Sequence, residues 1–101
     1  ALILDLQGEV SSGKSLESLI DLIEGSDHRN YIILLRGVHY MNSSGFGELA
    51  ELHMRSRESG RRIIFADLDP RIGELFQTMG GQHLLELADD LESALARLLE
   101  G

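Results

Sequence analysis

Three short apolar runs are separated by stretches in which apolar residues recur every three or four positions, a pattern that predicts strands alternating with helices. Residues 1–6, Ala-Leu-Ile-Leu-Asp-Leu, form the first run, closed by Gln7-Gly8, and read as a buried strand. Beyond it Leu16, Leu19, Ile20 and Ile23 repeat at helical spacing, with Ser15 as cap and Gly25 at the stop. Residues 31–35 are continuously apolar, as a strand covered on both faces requires, and Gly37 breaks them. A second helix follows Met41-Asn42 and ends at Ser59-Gly60. It places Phe46, Leu49, Ala50, His53 and Met54 on one face and Glu48, Glu51 and Arg55 on the other, with Glu51 and Arg55 spaced to pair. Residues 62–66 make a third strand. Asp69 then caps, and Pro70 opens, a helix that turns Ile72, Leu75, Phe76 and Met79 inward and stops at Gly80-Gly81. Residues 84–87 fit a short fourth strand, and Asp89 or Asp90 starts a last helix with Leu91, Ala94, Leu95 and Leu98 as its buried stripe.

Strand and helix in alternation predict an α/β fold: a small, mostly parallel (mixed) sheet of about four strands, joined by right-handed crossovers through about four helices. Residues 1–101 read as one domain. Composition then narrows the classes of function. The absence of cysteine removes disulfides and thiolate metal sites and suits a reducing compartment, and no run approaches the ~18 apolar residues of a membrane span, so a cytoplasmic, non-membrane protein is expected. A formal charge of −8, from 17 acidic and 9 basic side chains, opposes binding to nucleic acid.

Gly8-Glu9-Val10-Ser11-Ser12-Gly13-Lys14-Ser15 fits the G-x-x-x-x-G-K-[ST] phosphate loop between a predicted strand and a predicted helix, with Gly8, Gly13, Lys14 and Ser15 as its nucleotide-binding positions. Residues 63–66 followed by Asp67 resemble the strand that carries a magnesium-binding Asp. A sheet this narrow, without a water-positioning residue or an arginine finger, favours an ordinary Ser/Gly turn capping the first helix. The four histidines, His28, His39, His53 and His83, lack ligand spacing, so no metal or other cofactor is expected. Neither Ser43 nor Ser44 has an evident base, so no catalytic activity is expected. Arg55, Arg57, Arg61 and Arg62 read as cations around the end of the second helix.

The stretch Met41-Asn42-Ser43-Ser44-Gly45-Phe46-Gly47 places two hydroxyls where strand gives way to helix. Free backbone N–H groups and the positive end of the helix dipole favour an anion there, including a phosphate carried by a serine. Asn42 is a natural cap. Gly47, inside the helix, costs ~1 kcal/mol relative to alanine, and two glycines around Phe46 leave the backbone open to close approach.

In these residues the chain resembles the STAS domains of bacterial anti-sigma factor antagonists. Gly8-Glu9-Val10-Ser11 matches the family's Gly-Glu-Leu-Asp, and Met41 through Gly47 matches its Met-Asp-Ser-Ser/Thr-Gly-Leu-Gly. Ser59-Gly60, residues 62–66, Asp69-Pro70, Leu75-Phe76, Met79-Gly80 and the closing helix continue the similarity. The resemblance implies a non-catalytic switch in transcription regulation. An anti-sigma factor that is also a serine protein kinase would phosphorylate Ser43, and phosphorylation would release the captured partner. Partner contact is then expected at Asn42, Ser43, Ser44, Gly45, Phe46, Gly47, Glu48 and Glu51. The related alternatives are an unphosphorylated scaffold and a regulatory module of a larger protein. Asn42 stands where the family has Asp, Ser11 where it has Asp, and Leu34 where it has an acidic or polar residue; Asn42 still caps but offers no carboxylate to a kinase. The family's extra N-terminal strand is expected to be missing beside residues 1–6, which leaves an edge for a partner or for a homodimer.

Overall fold

The computed structural model describes residues 1–10 and 17–100. Its four strands, β1 (Leu2–Val10), β2 (Asn30–Met41), β3 (Arg62–Ala66) and β4 (Leu87–Ala88), lie side by side in chain order, every pairing parallel. The connecting helices are α1 (Glu17–Glu24), α2 (Ser43–Glu58), α3 (Pro70–Thr78), the single turn α4 (Gly81–Leu84) and α5 (Leu91–Glu100). The α/β reading therefore holds, with a parallel rather than mixed sheet and a fifth helix among the described residues.

Side chains alternate along a strand, so β2 divides its apolar run between two cores. Tyr31, Ile33 and Leu35 pack with Ile63 and Phe65 under Leu19 and Ile23 of α1, Phe46, Leu49 and Leu52 of α2, and Ile72 and Phe76 of α3. On the other face Ile32, Leu34, Ile64 and Ala66 meet Ala88 and Ala94, with Leu91 and Leu98 of α5 at the margin. A strand buried on both faces must be apolar throughout, which explains residues 31–35.

Several expectations are corrected. The first strand continues through Gln7-Gly8 to Val10, and it is half-buried rather than buried: Leu2, Leu4 and Leu6 meet the first core, while Ile3 remains 44% exposed. β2 runs through Gly37 to Met41, and the missing side chain of Gly37 leaves room for the Gln7 amide. Residues 81–84 form a helical turn, and the last strand is Leu87–Ala88 instead of 84–87. A left-handed Gly80 (φ +75°) makes this break, and a Cβ on Gly81 would come within 3.0 Å of the Phe76 backbone and side chain. The buried face of α2 is also rotated from expectation. Leu52 and Ser56 are buried with Leu49 and His53, whereas Met54 is 56% exposed. Met79 and Leu95 are likewise exposed, beyond the reach of their cores. Arg55 bonds Glu24 at the end of α1 (2.7 Å) instead of Glu51, joining two helices rather than one turn.

Candidate functional site

Two parallel strands and one cap position the start of α2. Val10 and Met41, both buried, face each other at the ends of β1 and β2, and the Asn42 N–H donates to the Val10 carbonyl at 3.3 Å. Asn42 is extended (φ −101°, ψ 177°), and its Oδ1 accepts from the Gly45 N–H at 2.8 Å while its carbonyl accepts from the Phe46 N–H at 3.0 Å. The predicted cap is therefore formed. The N–H groups of Ser43 and Ser44 precede the first residue that the helix's own ladder can satisfy. No acidic side chain occupies this first turn to offset the dipole.

Burial sorts the predicted contact residues into two groups. Ser43, Ser44, Gly47 and Glu51 are exposed, Asn42 and Glu48 are half-buried, and a Cβ added at Gly47 would meet open space. Gly45 and Phe46 are buried. The Phe46 ring packs edge-on against Phe76 (centroids 5.0 Å apart, 71° between planes), so it anchors the helix start from beneath instead of offering a surface. Among the described residues from Asn42 to Gly47, the accessible ones offer polar and backbone groups, flanked by Tyr40, which is 52% exposed. Tyr40 is absent from the sequence-based set because the second strand was expected to end before it. His39, just before it, places Nδ1 3.6 Å from Asp69 Oδ2, linking the end of β2 to the start of α3. The Arg71 N–H, which donates to Asp69 Oδ1 at 2.9 Å, is the main cause holding the Asp69 carboxyl below the ordinary carboxylate range.

The phosphate-loop match divides. Gly8, Glu9 and Val10 belong to β1 and pair with Val38, Tyr40 and Met41, so a phosphate-cradling loop does not open at Gly8. Gly13, Lys14 and Ser15 lie outside the described residues. Asp67, the candidate magnesium residue, has left-handed backbone (φ 63°) and sits 4.0 Å from the Arg36 guanidinium. Among the described residues no three His, Asp or Glu side chains converge as a metal set, and no helix is long and apolar enough to cross a membrane.

The described residues thus form a parallel α/β domain whose second strand leads through a capped, serine-bearing turn into a long helix. The chain belongs to the STAS domain family, whose profile it matches over residues 1–94. It is similar in structure to a sulfate transporter family protein from Wolinella succinogenes, with TM-score 0.80 and 21% identity over 99% of this chain and 88% of that one. The STAS domain of a SulP transporter from Vibrio cholerae superposes with TM-score 0.79 at 17% identity, over 98% of this chain and 80% of that one. The anti-sigma factor antagonist SpoIIAA in its unphosphorylated form superposes with TM-score 0.62 at 21% identity, over 98% of this chain and 88% of that one. At such identities these likenesses establish the fold.

Proposed function

We propose that this STAS domain is a non-catalytic protein-binding switch whose contact surface is the start of α2, controlled by phosphorylation of Ser43. The observation that carries this reading is the exposure of Ser43 and Ser44 on a first turn capped by Asn42 and free of acidic side chains. A phosphate there meets unsatisfied N–H groups and the positive dipole end, so the domain stays folded. The same phosphate adds nearly two negative charges to a surface that a partner must desolvate, and that opposes the complex. The partner class is an anti-sigma factor with serine kinase activity, matching the antagonist-like fold. Intact-mass measurement after incubation with ATP and such a kinase tests the assignment: one phosphate on wild type and none on Ser43→Ala is expected. A stable complex with no phosphate would overturn the switch and leave unswitched binding.

The two transporter-derived neighbours favour a second reading, in which the same helix tip contacts a larger protein as a regulatory module. Ser43→Asp separates the two: it weakens capture of a kinase partner under the first reading and leaves module docking unchanged if phosphorylation plays no part.

A further inference from the structure

The far end of α2 presents a different kind of site. Sixteen residues make this helix about 24 Å long, so its last turn lies well away from Ser43. Beside that turn is a cavity of about 750 Å³ whose lining includes His53, Arg57, Arg61, Arg62, His83 and Arg97. Four of the chain's nine cationic Lys and Arg side chains thus meet in one place on a protein of net charge −8. Glu86 is the one carboxylate among the described lining residues. It holds Arg62 through two hydrogen bonds (2.8 and 2.5 Å) and lies 3.9 Å from Arg97. Among the described residues the Arg61 guanidinium reaches only the Glu24 carbonyl, at 3.4 Å, and the Arg57 guanidinium has no hydrogen-bonding or ionic partner.

His53 supplies an independent observation. Its side chain lines this cavity from α2, the residue is 7% exposed, and its Nδ1 has no hydrogen-bond partner among the described residues. Buried polar atoms are nearly always paired, so an enclosed, unpaired ring nitrogen in the wall of this cavity is a group that lacks its usual partner. Burial, reinforced by the Arg57 charge and opposed by Glu86, lowers the His53 pKa. A neutral imidazole can place one N–H on Nδ1 and donate it to an oxygen.

We infer that this cavity binds a small polyvalent oxyanion of the phosphate or sulfate class. Guanidinium groups in excess of a single carboxylate repel one another until an anion enters, and their planar forks suit tetrahedral oxyanions. The volume falls within the range of small-molecule pockets. The acidic remainder of the surface disfavours an extended polyanion such as nucleic acid.

Calorimetric titration with inorganic pyrophosphate, and separately with sulfate, tests the site. Wild type should bind pyrophosphate more tightly than sulfate. The double variant Arg57→Gln, Arg61→Gln alters two side chains away from the cores and should bind pyrophosphate at least tenfold more weakly, whereas Ser43→Asp should leave the affinity unchanged. The His53 ring proton signals, followed by NMR against pH, should titrate at higher pH with pyrophosphate present, because a bound anion favours the imidazolium. No heat with either anion, equal affinity in the double variant, or an unmoved His53 titration would overturn the proposal. Because Ser43 takes no part, failure here is distinguishable from failure of the phosphorylation switch.

Discussion

The two ends of α2 suit an anion by opposite means. At the start, backbone supplies the attraction: first-turn N–H groups, the dipole and the Asn42 cap, with no charged side chain in the turn. At the end the dipole is unfavourable, and side chains override it, with Arg57, Arg61, Arg62 and Arg97 around His53. The first is a convex tip fit for a covalently attached phosphate, the second a recess fit for a free ion. The difference teaches that one helix can carry two anion sites only when their physics differs, since the dipole serves one terminus alone.

Breaking the shared support should affect both ends most. Phe46→Ala removes a ring that is 2% exposed and packed against Phe76, and is expected to cost about 3–5 kcal/mol in urea denaturation. Glu86→Gln comes next and sharpens the contrast. Loss of the half-buried bidentate partner of Arg62 should cost about 1–2 kcal/mol in the same measurement, yet tighten pyrophosphate binding by freeing a guanidinium. Asn42→Ala acts on the other end alone: removal of the bond to the Gly45 N–H is expected to cost about 1 kcal/mol without changing pyrophosphate affinity. Ser43→Asp should raise stability by about 0.3–1 kcal/mol through the dipole, a gain that fades at high salt.

The smallest effect is in the pH dependence of thermal melting. The folded pKa of His53 lies below its ordinary 6.5, so on acidification the unfolded chain takes up the proton first. Stability therefore falls as pH drops from 6.5 through the folded value. Glu86, drawn below its ordinary 4.5 chiefly by its hydrogen bonds from Arg62, adds a second decline below pH 4.5. Pyrophosphate should shrink the first decline and leave the second end of the comparison, at Ser43, untouched.

Much of this was legible in the chain. The alternation of continuous and helically spaced apolar residues specified α/β, residues 31–35 announced a strand covered on both faces, and Asn42 and Asp69-Pro70 marked helix starts that the structure forms through local hydrogen bonds. Such signals are readable because they depend on neighbours a few residues away. The reach of β1 and β2 through Gly8 and Gly37 was not, since pairing with an adjacent strand overrides the local preference of glycine. Nor was the phase of α2, where Leu52 and Ser56 rather than Met54 complete the face laid on the sheet.

The sequence by itself determined the order of the elements, the apolar centre of the sheet and the serine-bearing turn, because periodicity and capping are local properties of the chain. Only the tertiary structure decided that Phe46 is a support rather than a surface, and that Arg57, Arg61 and Arg62, which read as solvated helix-end charges, share one recess with Arg97 and His53. Those are consequences of packing: α2, β3, α4 and α5 bring together residues that lie between four and forty-four positions from His53 in the chain, and no local pattern records that meeting.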